Sequence, residues 1–346
     1  MKKNRVLLAM LAACLLTQPC MTALAEEGIG PGYSTVVEED SFGPGYMNQN
    51  SDGSGTQITP WVKTAAGYVD DAGNVIDGAL LRGVSVSKWQ GDVNWGKVAA
   101  DDISFALIRM GSFGYEGEYT MDPTYDTNMR EAKANGVHTT PYVYLQTRTV
   151  EEAKAAARYA LEKAVPYDIT YPLAVDVESQ YILDLSKQEL TDIVNAFCQV
   201  IEEAGYTPII YSSHNYFMTE MDINQFKYDL WVARYGGDHN LKGRTMWQST
   251  DSGKVNGING NVCLEFAFKD YASMQVTDRS DYTPGNWEKI NDIWYFAHET
   301  GYYTGWVKPD GNWYYLDPAN GGAMLANTTA VIDGVSYSFG PSGAMQ

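Results

Sequence analysis

The segment Leu173-Ala174-Val175-Asp176-Val177-Glu178-Ser179 carries two acids two residues apart in a run of alternating side chains. Successive side chains of a strand point to opposite faces, so residues i and i+2 share one face. The spacing therefore puts Asp176 and Glu178 on the same side of a strand, near its C-terminal end. Two acids held side by side and partly desolvated cannot both ionise cheaply. One keeps its proton and can act as a general acid, while the other stays charged. Cleavage of a glycosidic bond needs that division of roles. A salt-bridged or solvated pair at a strand end has the same spacing, so the short pattern alone leaves both readings open.

The surrounding composition favours a sugar. Tyr142, Tyr211, Tyr235, Trp247 and Gln248 fall at the ends of strand-like runs. Aromatic faces and fixed amides suit sugar rings, which offer a flat apolar face and many hydroxyls. Each of these residues taken singly is also compatible with ordinary packing. The four histidines, His138, His214, His239 and His298, show no metal-ligand spacing, and no cofactor is implied.

The elements that must position the pair are legible as alternating strand and helix patterns from about 82 to 270. Strand-like runs occur at 82–89, 103–110, 138–145, 171–178, 207–213, 230–235, 245–249 and 261–268. Helical runs occur at 123–135, 150–164 and 187–204. In the last, Leu190, Ile193, Val194, Phe197, Val200 and Ile201 form an apolar stripe. Ser186 with Glu189 resembles a capping box, and Gly205 is a stop signal. The pattern predicts an α/β fold, a parallel β/α barrel made irregular by short late crossovers.

The flanks differ. Residues 1–25 combine a basic start, an apolar run from Val6 to Leu16 and a small-x-small site at Ala23-Leu24-Ala25, the pattern of a secretory signal peptide. The apolar run is too short to span a bilayer, and no transmembrane segment is expected in the mature protein. Residues 26–60 read as a flexible acidic linker, in which Gly30-Pro31-Gly32-Tyr33 recurs as Gly43-Pro44-Gly45-Tyr46. Residues 61–81 read as a hairpin leading into the barrel. From 285 to 346, aromatic runs and glycine turns recur about every 20 residues, as in small stacked hairpin repeats. The chain carries 24 Lys+Arg against 43 Asp+Glu, a net charge of −19. Such acidity excludes broad neutralisation of phosphates and hence nucleic acid as partner.

Several of these runs together resemble the glycoside hydrolase family 25 lysozymes. They are Gly83-Val84-Ser85-Val86-Ser87-Lys88-Trp89-Gln90-Gly91-Asp92-Val93-Asn94-Trp95, Phe105-Ala106-Leu107-Ile108-Arg109, the Asp176-Val177-Glu178 strand, Ile210-Tyr211-Ser212, Leu230-Trp231-Val232-Ala233-Arg234-Tyr235 and Met246-Trp247-Gln248. The resemblance is collinear over about 82–268. It implies an irregular barrel that cuts the β-1,4 bond between N-acetylmuramic acid and N-acetylglucosamine in peptidoglycan. By position, Glu178 resembles the general acid and Asp176 its charged partner, acting directly or by orienting the substrate's N-acetyl group.

Two positions depart from the family pattern. Ser85 stands where the opening strand usually has Asp, and Cys263 follows Val262 where the last strand usually has an acid. Losing two like charges near Glu178 predicts a lowered pKa for its carboxyl. A catalytically impaired, glycan-binding relative is the alternative these positions raise. Cys198 lies on a helical apolar stripe and reads as a core thiol, with a Cys198–Cys263 disulfide as the alternative. The C-terminal repeats resemble choline-binding or other wall-binding repeats, with Trp294, Trp306, Trp313 and Tyr315 as the aromatic positions. Peptidoglycan and a wall polymer such as choline-bearing polymer are thus the implied partners of a secreted, wall-associated protein.

Overall fold

The computed structural model describes residues 62–69, 73–182, 184–235, 241–273, 282–298 and 301–346. The expected signal peptide, the acidic linker and His239 lie outside the described residues.

A small hairpin, β1 (Val62–Thr64) with β2 (Gly67–Val69), precedes the barrel. It occupies the first part of the 61–81 stretch, and a single antiparallel bridge joins Val69 to Val75 beyond it. The barrel strands are β3 (Leu81–Val86), β4 (Phe105–Tyr115), β6 (His138–Leu145), β7 (Leu173–Asp176), β8 (Pro208–Ser213), β9 (Asp229–Ala233), β10 (Arg244–Gly253) and β11 (Val262–Ala267). A short strand β5 (Glu118–Met121) folds back on the long end of β4. Pairing runs β3-β4-β6-β7-β8-β9-β10-β11 and closes on β3.

All eight strand segments form, but the barrel is mixed rather than parallel. Strand β11 is antiparallel to both β10 and β3. The reason lies in the connection: β10 runs to Gly253 and β11 begins at Val262, too few residues for a crossover helix. A parallel neighbour needs a crossover of a dozen or more residues, whereas a hairpin does not.

Helices α1 (Trp95–Ala100), α2 (Tyr125–Ala134), α3 (Val150–Ala164) and α4 (Lys187–Glu203) follow four of the early strands, and the short α5 (His214–Thr219) follows β8. The capping box of α4 is made: Ser186 Oγ accepts from the Glu189 N–H at 3.3 Å, and Glu189 Oε2 accepts from the Ser186 N–H at 2.9 Å. Its Leu190, Ile193, Val194, Phe197 and Ile201 are buried against the outside of the barrel. Thr149 and Glu152 cap α3 in the same way, and its Ala153, Ala156, Ala157 and Ala160 keep that face small and close-packed.

The alternation of each strand sorts two cores. Val84, Ile108, Val143, Val175, Ile210 and Val232 pack outward under the helices. Phe105, Leu107, Ala174, Ile209, Trp231 and Met246 fill the barrel. Gly83 is required here, because a Cβ at this position would lie 2.5 Å from Cζ of Phe105.

The tail forms hairpin units. These are β12 (Asn286–Ile290) with β13 (Ile293–His298) and β14 (Gly301–Tyr302), then β15 (Gly305–Val307) with β16 (Tyr314–Asp317) and β17 (Ala323–Met324), then β18 (Thr328–Ile332) with β19 (Val335–Phe339). Phe296, Val307, Tyr314 and Leu316 give this part a core of its own. No described helix is long and apolar enough to cross a membrane.

Candidate active site

Strand β7 ends at Asp176, and Glu178 follows two residues later with the backbone still paired through the Val177 N–H to the Tyr211 carbonyl at 3.0 Å. Leu173 and Val175 face the helices, so Ala174, Asp176 and Glu178 face the barrel interior. Asp176 sits in register with Tyr144 of β6 on one side and Tyr211 of β8 on the other. Both acids are 4% exposed. Asp176 Oδ1 and Glu178 Oε2 are buried with no hydrogen-bond partner among the described residues. Buried polar atoms are ordinarily paired, so each of these open oxygens keeps its capacity to accept a hydrogen bond.

Burial drives the electrostatics. It raises the carboxyl of Asp176, against which the guanidinium of Arg109 pulls back down. It also raises Glu178 well above the ordinary carboxyl range; the Asp176 charge raises it further and Arg109 again opposes. Without acids at 85 and 263, burial and the Asp176 charge still hold the Glu178 carboxyl above its ordinary range. The two acids interact, so whichever ionises first raises the carboxyl of the other. Arg109 comes from β4, lies 5.0 Å over the Tyr144 ring and donates to Ser112 Oγ at 3.2 Å.

The other predicted residues separate into two groups. Tyr142, Tyr211, Tyr235 and Gln248 line the interior. Tyr142 meets Trp231 edge-on at 5.8 Å, and Tyr211 packs on Trp231 at 4.2 Å. Ser85 and Cys263 also face inward, directly opposite one another on β3 and β11. Trp247 does not join them. It points out of the barrel, is fully buried with Tyr68, Ile76 and Phe266, and donates from Nε1 to the Arg234 carbonyl at 2.7 Å. Adjacent residues of a strand take opposite faces, so Trp247 and Gln248 cannot both line the pocket. The Cys198–Cys263 disulfide is absent. Both thiols are free, because Cys198 is on the buried face of α4 outside the barrel and Cys263 is on the inner face of β11.

Sequence reasoning missed Arg109, Tyr144, Trp231 and, above all, Glu265. Glu265 is fully buried, two residues after Cys263 on the same face of β11. The i, i+2 rule that paired Asp176 with Glu178 would have found it. Its oxygens accept from Ser85 Oγ, from Gln248 Nε2 at 3.1 Å and from Trp231 Nε1 at 2.8 Å. Burial pushes its carboxyl up to about 8, while these three hydrogen bonds pull it down.

In the tail, Trp306 is the centre of a ring cluster. Tyr337 lies 4.7 Å from it, Tyr315 5.1 Å and Trp313 6.2 Å, all close to edge-on. Trp294 stands elsewhere, exposed on β13 beside Lys289. Tyr337 was hidden from the repeat pattern by the serines on either side of it.

The closed barrel thus holds two buried carboxyls at its strand ends among aromatic and amide groups, and its sequence places it among the glycosidases. Residues 84–258 match the sequence profile of glycosyl hydrolases family 25, and the chain belongs to that family. The lysozyme of Streptococcus phage Cp-7 is 41% identical over 157 residues, covering 42% of this chain and 44% of that protein. The uncharacterized protein YegX of Escherichia coli (strain K12) is 31% identical over 191 residues, covering 53% of this chain and 67% of that one. The modular autolysin LytC from Streptococcus pneumoniae shares the fold, with a TM-score of 0.53 at 20% identity over 60% of this chain and 52% of that chain.

Proposed function

We propose that this protein is an exported muramidase that hydrolyses the β-1,4 bond between N-acetylmuramic acid and N-acetylglucosamine in peptidoglycan. The observation that carries the reading is the inward-facing Asp176–Glu178 pair, buried, raised in pKa and with one oxygen of each acid unpartnered. Glu178, whose carboxyl burial and the Asp176 charge both raise, hands its proton to the glycosidic oxygen as the bond to the anomeric carbon breaks. Asp176 carries the compensating negative charge, either on the sugar cation directly or through the substrate's N-acetyl group. Water then adds at the anomeric carbon and returns a proton to Glu178, which restores the starting state.

The family assignment and the likeness to the Cp-7 lysozyme support this substrate class. The signal-like residues 1–25 support export. The ring cluster around Trp306 supports retention on a wall polymer, with quaternary ammonium groups as the natural ligand of clustered aromatic rings. Ser85 and Cys263 favour a second reading, a glycan-binding relative with impaired catalysis.

One experiment separates the readings. Mature protein and Glu178→Gln are incubated with purified sacculi, and new reducing ends are counted alongside pull-down on the same material. Reducing ends from the wild type alone support the muramidase. Equal silence with retained pull-down supports the binder, and failure of both binding and cleavage overturns the proposal.

A further inference from the structure

Glu265 is a buried acid that the cleavage step does not use, and its hydrogen bonds run in one direction. Trp231 Nε1 donates to Oε2 at 2.8 Å, and Gln248 Nε2 donates to Oε1 at 3.1 Å. An indole N–H and an amide N–H can only donate, so Glu265 must present acceptors to both. Ser85 Oγ completes the set; being a hydroxyl it can donate to the carboxylate or accept from the acid form, without changing the other two bonds.

With one amide N–H given to Glu265, Gln248 turns its carbonyl oxygen to the other side. That oxygen accepts from Tyr211 OH at 3.0 Å and from Tyr235 OH at 2.7 Å. Both phenols spend their protons on Gln248 and keep lone pairs for anything else in the barrel. Tyr211 is the register neighbour of Asp176.

We propose that Glu265 is a positioning residue for substrate binding: through Gln248 it sets the hydrogen-bond direction of Tyr211 and Tyr235, making both phenols acceptors for N–H and O–H donors of the glycan. This rests on the reading of Asp176 and Glu178 as the glycan-cleaving pair. The arrangement is cross-strand, since Gln248 of β10 and Glu265 of β11 are direct partners in the antiparallel ladder. It spans the barrel from Ser85 on β3 to Tyr211 on β8.

Glu265→Gln conserves shape but brings an amide N–H to a site surrounded by donors. The relief available is rotation of the Gln248 amide, which turns both phenols from acceptors into donors. The expected result is a KM for solubilised glycan strands raised about ten-fold, the usual scale for a mispaired buried hydrogen bond, with kcat changed far less. Tyr235→Phe should also raise KM in the wild-type background and add little in the Glu265→Gln background, because both act on one relay. An unchanged KM in Glu265→Gln, or full additivity of the two substitutions, overturns the proposal. Should Glu265→Gln fail to fold, Gln248→Leu replaces it in the same cycle; additivity with Tyr235→Phe there is equally fatal. Glu178→Gln run in parallel keeps the two levels apart. Full activity in Glu178→Gln overturns the cleavage reading beneath, whereas silence in Glu178→Gln with an unchanged KM in Glu265→Gln overturns this inference alone.

Discussion

Trp247 and Gln248 are consecutive on β10 and serve opposite sides of the barrel wall. Gln248 accepts from two phenols inside, while Trp247 packs outside against Tyr68 and Phe266. Trp247→Ala should therefore cost about 3–5 kcal/mol of stability, as for a fully buried aromatic truncated to Ala. The folded fraction should keep its KM. Chemical denaturation together with kinetics on the folded protein checks this, and a raised KM would place Trp247 in the pocket after all.

Removal of the acid should be close to complete. Glu178→Gln is expected to lower kcat by at least about 100-fold, the lower end for loss of a general acid. Asp176→Asn should be comparably damaging, because the amide cannot carry the compensating charge. Reducing-end release from purified sacculi measures both.

The pH profile should show two limbs, both above the ordinary carboxyl range, since burial raises Asp176 and Glu178 alike. Activity rises as Asp176 ionises and falls as Glu178 ionises. Arg109 holds both carboxyls down, so Arg109→Gln should move the acidic limb to higher pH. A limb that stays in place would remove Arg109 from the electrostatics of the pair.

Stability should run against activity. A carboxyl whose pKa is raised in the fold contributes stability below its unfolded value of about 4, and that contribution is lost as pH climbs through the folded value. Asp176, Glu178 and Glu265 all have this sign. Glu178→Gln is thus expected to raise the melting temperature at pH 8. The gain should vanish near pH 4. Thermal melts of both proteins across that range provide the measurement.

Restoring an acid at position 85 should not help. Ser85 Oγ is hydrogen-bonded to Glu265, so Ser85→Asp sets two carboxyls against each other in a buried place. The expected outcome is a loss of roughly 2 kcal/mol or more of stability, with no gain in rate. A faster enzyme would show that the missing charge at 85 limits catalysis.

In the tail, Trp306→Ala should release the protein from sacculi, because Trp313, Tyr315 and Tyr337 all pack on that ring. Trp294→Ala should leave retention unchanged, since Trp294 lies on β13 apart from them. Equal loss from both would argue for a different binding surface.

Much of this molecule follows from local pattern. Alternation marked the eight barrel strands and put Asp176 and Glu178 on one face, and the Ser186–Glu189 box marked the start of α4. These are properties of two to four consecutive residues, so a linear reading reaches them. The sequence also carried the family resemblance and the departures at Ser85 and Cys263. What it could not reach depends on which strand lies beside which. The antiparallel turn-back of β11 came from a connection too short to cross over, and it brought Glu265 of the last strand opposite Gln248 and within reach of Ser85 of the first. The height of the carboxyl pKa values likewise belongs to the closed barrel, because desolvation is set by everything packed around a group and by no neighbour along the chain.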